Sequence, residues 1–435
     1  MSQDFYRRRM LILATSLFAY LLVFFQRTSL NVLQAELQAE YAMTALQFSS
    51  LSAVYYYLYA FLQIPSGMLV DFMGSRKTSS AGLLLAGIGS LLMAWAPSYF
   101  WLFAGRLIST VGVAPVFVNT LKLNGEWFKP REFMTLTGIT LFIGNGGALL
   151  SSYPLSWITS ISGWRTAFMT IAFITIIIAI LAYYIVRDKP SDLGFQDHSL
   201  PSEPLSFKKT WEGFLAVIAN KMIYYPIFIY AFSFSAVQTF QAAWGSRLSQ
   251  TILGIPPVSA GFVVMWVSMG VMFGALIGGR LADRYGRVLL MNIHLGLFAL
   301  VWVLLPFLAE FHATIGSLSL WMFSMGYFGS GFSITWGLGK EIAGRNYSGI
   351  GMALVNGAGF LLAAIFQLVY GGILDRFRVN GQYQWAGFEQ GNLLLIVSSI
   401  LAISLALYYT FRFSRKTKIK PEKIAKSGVP FINKA

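Results

Sequence analysis

Residues 67–77 read GMLVDFMGSRK and residues 278–287 read GGRLADRYGR, two copies of one pattern. Aligned on Gly67 and Gly279 they stand 212 residues apart in a chain of 435, close to half its length. Each copy closes a long apolar run. Outward from them such runs recur along the whole chain, and a run of about 20 residues is the length of a helix that crosses a bilayer. Barrel strands would instead be about 10 residues of alternating polarity. Twelve runs are counted, at 10–33, 44–70, 78–96, 99–121, 133–156, 164–186, 222–248, 257–280, 288–309, 314–338, 349–373 and 390–411. The expected fold is all-α and membrane-spanning, with twelve transmembrane helices in two pseudo-symmetric six-helix bundles.

The bundles are expected at 1–186 and 222–411, joined by a polar linker at 187–221 that holds RDKPSDLG, SLPSEP and SFKKTWEG. A basic tail follows at 412–435. The start, RRRMLILATSLFAYLL, resembles a signal peptide, but it runs long and lacks a small-residue cleavage site, so it reads as a retained first helix. Composition agrees: 56% of residues are hydrophobic and 11% charged, where soluble domains carry about a quarter charged.

A formal charge of +15 would suggest a nucleic-acid partner in a soluble chain. Here the basic residues report topology instead. With the N-terminus cytoplasmic, 26 of the 32 Lys and Arg fall in inner loops, linker and tail, which is the inside bias that orients helical membrane proteins. Both termini are expected in the cytoplasm, in a bacterial inner membrane. The chain has no cysteine, so disulfides and thiolate metal sites are excluded. No phosphate-binding, dinucleotide or zinc motif and no catalytic cluster is visible, so neither an enzyme nor a cofactor or metal site is expected.

Arg27, in LFAYLLVFFQRTSLNVL, is the best clue to function. A charge at mid-bilayer depth costs about 2.5 to 3.5 kcal/mol on insertion scales and faces bundle interiors more often than lipid. The competing role is an anchor snorkelling to the interface.

These marks together resemble the major facilitator superfamily. The superfamily's loop motif is met in part by Gly67, Asp71, Gly74 and Arg76, with Phe72 and Ser75 departing from it, and more fully by Gly279, Asp283, Arg284, Gly286 and Arg287. Arg106, EWFKPRE at 126–132, GNGGALLSSYP at 144–154, GWR at 163–165 and RDKPSDLG at 187–194 are further marks. The glycines would allow close helix approach and sharp turns, and Asp71 and Asp283 would cap a neighbouring helix or pair with the arginines as a conformational latch.

Within the superfamily the sequence is similar to the branch of organic-anion and sugar-acid transporters. An aromatic before Asp-Arg in that branch appears here as Phe25, Gln26, Arg27, and its tyrosine pattern as YYYLYAFLQIPSG, with Tyr57 as the inward group and Gln63 second. Asn356 in GMALVNGAGF matches a polar position of that branch, while Gln238, Gln241 and Trp244 recur at helical spacing in SFSAVQTFQAAWG. Asn145 is a lone amide in a glycine-rich span. The resemblance implies a pocket of Arg27, Tyr57, Asn145, Gln241, Trp244 and Asn356 for a small solute bearing a carboxylate, such as a sugar acid, polycarboxylate or carboxylate siderophore. For each amide or tyrosine, bonding between helices is the equal alternative. The partners implied are that anion and the bilayer, in a monomer without nucleic acid. Proton-coupled relatives carry an Asp just before the first-span arginine and a Glu before Ala-Pro in span four, where this chain has Gln26 and Val113. None of the acidic residues is placed inside an expected span, and His294 is given a structural role. The alternatives are a facilitative uniporter of dipeptides or other zwitterions, and an exporter of amphipathic drugs.

Overall fold

The computed structural model describes residues 3–197, 207–311, 313–344, 347–379 and 382–417. The linker stretch 198–206 and the tail beyond 417 lie outside the described residues. The described residues form twelve spans. In the first half these are span 1 (Gln3–Thr28 continued by Leu30–Glu40), span 2 (Ala45–Met73), span 3 (Ser75–Ala94) and span 4 (Tyr99–Val113 continued by Val116–Trp127). Span 5 is Pro130–Leu150 continued by the start of the helix Tyr153–Ile185, which turns at Gly163 (φ 77°, ψ 156°) into span 6. The second half holds span 7 (Lys221–Leu253), span 8 (Pro257–Tyr285), span 9 (Arg287–Glu310) and span 10 (Ile315–Gly329, Ser330–Ser333 and Ile334–Ala343). Span 11 (Ser348–Arg376) and span 12 (Trp385–Thr417) complete it. Both described chain ends therefore lie on one side, called here the terminal side.

Helices are the physical answer to these runs because a bilayer offers no water to backbone N–H and C=O groups, which must pair within the segment. Eight helices among the described residues are long and apolar enough to cross on their own, one of them being spans 5 and 6 joined through Gly163. Span 2 carries tyrosines and amides, span 7 carries both with a π-helical turn at Phe240–Trp244, and span 10 is broken by a 3-10 turn at Ser330–Ser333. Between the halves, span 2 packs on span 11 and span 5 on span 8. Large apolar side chains such as Phe61, Trp157, Ile177 and Leu401 stay exposed, as a lipid-facing surface requires.

The linker holds structure that composition does not announce. Phe207–Ala219 is a helix whose Gly213 approaches Tyr347 and Ile350 beside span 11, while Trp211 and Leu215 stay exposed. On the other side of the gap, Asp188 folds back to accept a hydrogen bond from the backbone N–H of Arg76 at 2.8 Å, capping the start of span 3.

The two loop copies are built as tight helix corners. Gly74 (φ 82°, ψ 163°) and Gly286 (φ 98°, ψ 131°) each separate two helices by a single residue in a region open essentially to glycine. At Gly74 a Cβ would also stand 2.5 Å from Asp188 Oδ2. Gly67 and Gly279 differ from the expectation of close approach, since nothing lies within 4 Å of where their Cβ would be. Gly74→Ala is therefore expected to cost about 1 to 3 kcal/mol and lower the melting temperature in detergent. Gly279→Ala, in open helix, should leave it unchanged; equal melting of both variants would contradict this account of the corner.

Candidate substrate cavity

Where the halves meet, residues of spans 1, 2, 4, 5, 7, 8, 10 and 11 enclose a cavity of about 80 Å³. Arg27 reaches it from span 1. Tyr20 and Phe24 precede Arg27 by seven and three residues and line the same cavity, as helical spacing places them on one face. The guanidinium carbon sits 3.8 Å over the Phe24 ring, a stack that suits a weakly hydrated cation. Arg27 is only 5% exposed, its Nε has no hydrogen-bond partner, and among the described residues it forms no ion pair. Among the described residues no Asp, Glu or His lines the cavity. A buried cation without a protein counter-charge is costly, and an anionic ligand relieves the cost.

Arg106 has a different task. Fully buried, it donates from Nη1 to the Gln26 carbonyl at 2.6 Å and from Nη2 to the Arg27 carbonyl at 3.2 Å. These carbonyls lie where span 1 loosens at Thr28 and Ser29, so a cation there serves the exposed acceptors of a helix end. Gln26 turns away from the cavity: its Oε1 accepts from Ser109 at 2.6 Å and its Nε2 donates to Thr175 at 3.3 Å. Spans 1, 4 and 6 are stitched there by neutral groups.

Of the expected pocket residues, the structure brings Arg27, Asn145 and Asn356 together. Asn356 accepts from the Tyr230 hydroxyl at 3.0 Å, and Asn145 donates to the Leu141 carbonyl at 2.9 Å. Gln238 also lines the cavity, where its Oε1 accepts from Tyr56 at 2.8 Å. Tyr57 is partly buried off the cavity, and span 2 supplies Tyr55 and Tyr59 instead. Gln241 and Trp244 lie farther from the terminal side. Gln241 donates to Ser268 at 2.9 Å, and Trp244, fully buried, donates to Ser49 at 3.2 Å.

The Trp244–Ser49 contact belongs to a seam that ties the halves on the far side. Asn31 of span 1 donates to the carbonyls of Phe240 (3.2 Å) and Gln241 (2.8 Å) and accepts from the N–H of Ser246 (3.0 Å). It meets span 7 where Phe240–Trp244 forms one π-helical turn. Such a turn frees backbone groups, and the amide takes them up. Asp375 at the end of span 11 caps span 2, accepting from the N–H groups of Ala45 (2.6 Å) and Leu46 (2.8 Å). Gln38 donates to Tyr383 at 2.6 Å.

The expectation that no acid lies inside a span is corrected, because the helices run longer than expected and take in acids near their ends, Glu126, Glu341, Asp375 and Glu389 among them. Span 1 runs on to Glu40, so Glu36 falls within it, partly buried, with Oε2 lacking a hydrogen-bond partner. His294 keeps a packing role, 3% exposed between Gly278 and Gly331.

The family model of the Major Facilitator Superfamily matches residues 16–367. This chain belongs to that superfamily. It is 24% identical to a D-galactonate transporter of Escherichia coli, over 84% of this chain and 89% of that one. It is 22% identical to a probable sulfoacetate transporter of Cupriavidus necator, over 89% and 92%. Among solved structures, a bacterial homolog of the human lysosomal transporter Spinster, inward-facing and unoccupied, superposes with a TM-score of 0.73 at 16% identity, covering 97% of this chain and 100% of that one. The protein is thus an integral multi-pass membrane transporter and not an enzyme.

The superfamily loop pairs its charges within each half. Asp71 accepts from Lys122 of span 4 at 2.7 Å, while the helix cap expected of it is made by Asp188. Arg76 donates to the Tyr183 carbonyl at 2.7 Å and stacks over that ring at 4.3 Å. In the second half Arg287 pairs with Glu341 of span 10 at 2.8 Å, and Arg284 stands 5.3 Å over Tyr285. The side chain of Asp283 lies outside the described part of the structure.

Proposed function

We propose that this protein carries a small organic anion bearing a carboxylate across a bacterial inner membrane, by alternating access around a site in which Arg27 holds the negative group. The observation that supports this most is the buried, uncompensated guanidinium facing a cavity between the halves. The absence of an acid among the described lining residues speaks against zwitterions and cationic drugs, whose positive groups would meet no partner there. In this reading the terminal side is cytoplasmic, on the strength of the basic-residue bias, so the seam closes the outer side and the form described is inward-facing. The deciding experiment is uptake into proteoliposomes from a panel of sugar acids, polycarboxylates, siderophores and dipeptides. Saturable transport of organic acids alone supports the proposal, and transport of dipeptides alone overturns it.

Orientation is tested separately, and the lack of native cysteine makes the test clean. Ser160→Cys is expected to react with an impermeant maleimide from outside intact cells, and Ser191→Cys only after the membrane is opened. The opposite pattern would reverse the topology.

The neutral Gln26 network favours transport without proton coupling. Uniport of a monoanion then senses the membrane potential, about 2.3 kcal/mol per 100 mV, which is roughly a fifty-fold bias toward export when the interior is negative. We expect a potassium diffusion potential to drive flux of a permanently ionised substrate and a pH gradient of equal size to leave it unmoved. Proton-driven accumulation that vanishes in Glu36→Gln would overturn this and transfer the coupling role to that acid.

A further inference from the structure

Half of the side chains that line the cavity are aromatic, and the acceptors among them not already bonded within the protein are few, including the Asn145 amide oxygen and tyrosine hydroxyls. Tyr59 of span 2 stacks on Phe360 of span 11 with centroids 4.5 Å apart, and Phe360 meets Phe234 at 5.0 Å. Phe234 lies parallel to Tyr230 at 4.9 Å, and Tyr230 stands 5.7 Å from Trp336. A continuous aromatic wall thus runs from one half of the protein into the other. Arg27 faces the same space.

The polar groups on this wall are spent unevenly. The amide oxygens of Gln238 and Asn356 already accept from Tyr56 and Tyr230, and the Ser330 hydroxyl is used on the Tyr327 carbonyl at 2.7 Å. Donors remain. Arg27 makes no hydrogen bond or ion pair from its side chain among the described residues, and its Nε is buried without a partner; the Trp336 Nε1, at the cavity wall, also meets no acceptor in hydrogen-bond geometry. A carboxylate is all acceptor and fits such a surplus. Each hydroxyl of a sugar chain brings a donor as well, and a buried donor left unpaired loses its water for nothing. Flat rings, in contrast, find stacking and edge contacts on every side.

We propose that the cavity selects a hydroxyl-poor aromatic monocarboxylate, its carboxylate on Arg27 and its ring against the Tyr59–Phe360 and Tyr230–Trp336 walls, over a polyhydroxylated acid of equal charge. This rests on the reading of the cavity as an organic-anion site and narrows it.

The test is direct binding to the purified full-length protein, by calorimetry and tryptophan fluorescence, of benzoate, cyclohexanecarboxylate, galactonate and citrate. Benzoate is expected to bind at least tenfold more tightly than galactonate, with cyclohexanecarboxylate between them. Phe360→Leu should erase the preference for benzoate over cyclohexanecarboxylate. Trp336→Phe keeps a ring and removes a donor, so it should weaken all carboxylates alike. Galactonate or citrate binding more tightly than benzoate overturns the aromatic selectivity and leaves the anion site standing. Failure of all four acids to bind, in a protein whose melting is cooperative and which binds a dipeptide, overturns the anion site itself. Unchanged ligand ranking in a folded Phe360→Leu variant also overturns the proposal, because the wall would then not be read by the ligand.

Discussion

Arg27→Ala is expected to abolish measurable binding of the transported anion, and Arg27→Lys to recover little of it. The guanidinium meets a carboxylate with two parallel N–H donors, whereas an ammonium offers a point charge on a flexible stem. Hydrogen bonds between charged partners contribute about 1.5 to 3 kcal/mol each, so losing both should weaken binding by roughly a hundredfold to ten-thousandfold, at about 1.4 kcal/mol per tenfold. The lysine also gives up the planar stack on Phe24. Because Arg27 is buried without a protein counter-charge, Arg27→Ala should leave the melting temperature unchanged or raise it. Wild-type affinity in both variants, by calorimetry, would remove Arg27 from the site. A large fall in melting temperature would make it a structural strut like Arg106.

Asn31→Leu is expected to shift the protein toward a form open on the far side. The leucine is of similar size, but it strands the carbonyl of Gln241 and the N–H of Ser246, which the amide now serves, while the Phe240 carbonyl keeps the N–H of Gly245. A buried polar group left unpaired costs about 1 to 3 kcal/mol, and water can repair this only when the seam opens. A loss near 3 kcal/mol would move an equilibrium by roughly a hundredfold. Ser156→Cys, whose Cβ lies 3.0 Å from where Gly261 would carry its own, reports on the seam from the span 5 side. Its reaction with an impermeant maleimide should accelerate strongly when Asn31→Leu is added. An unchanged rate with a lowered melting temperature would make Asn31 a stabiliser of the fold and not a clamp.

Much of the architecture was legible because it depends on length and periodicity. Apolar runs, their duplication and the glycine corners at 74 and 286 each follow from local chemistry. Arg27 was legible for the same reason, being a charge where charge is costly. The rest of the site depended on helical phase, which these sequences hide. In YYYLY every candidate position but one is a tyrosine, so the pattern could not say that Tyr55 and Tyr59 face the cavity and Tyr57 does not. In span 7 the π-helical turn at Phe240–Trp244 inserts a residue into the helical count. Gln238 stays on the cavity and donates to Gln241, which turns to Ser268 of span 8 behind the cavity wall, while Trp244 reaches across the seam to Ser49. Glu36 escaped because the run LQAELQAE at 33–40 is too polar to read as part of a span, yet Leu33 and Leu37 bury it against neighbours.

The seam on the far side has a kinetic consequence. To reset, an empty carrier must break those bonds with no substrate present, whereas a loaded one can offset the breakage with whatever contacts improve as it closes on its cargo. Return of the unloaded form is then the slow limb of the cycle. Labelled substrate should exchange across the membrane faster than net transport proceeds, and unlabelled substrate on the trans side should accelerate the labelled flux. Half-saturation should also differ between the two faces, since the binding-competent fraction exposed to each is unequal and apparent affinity falls with that fraction. The protein would thus act as a better exchanger than a pore-like leak, with its direction of preference written into a row of hydrogen bonds that never touches the solute.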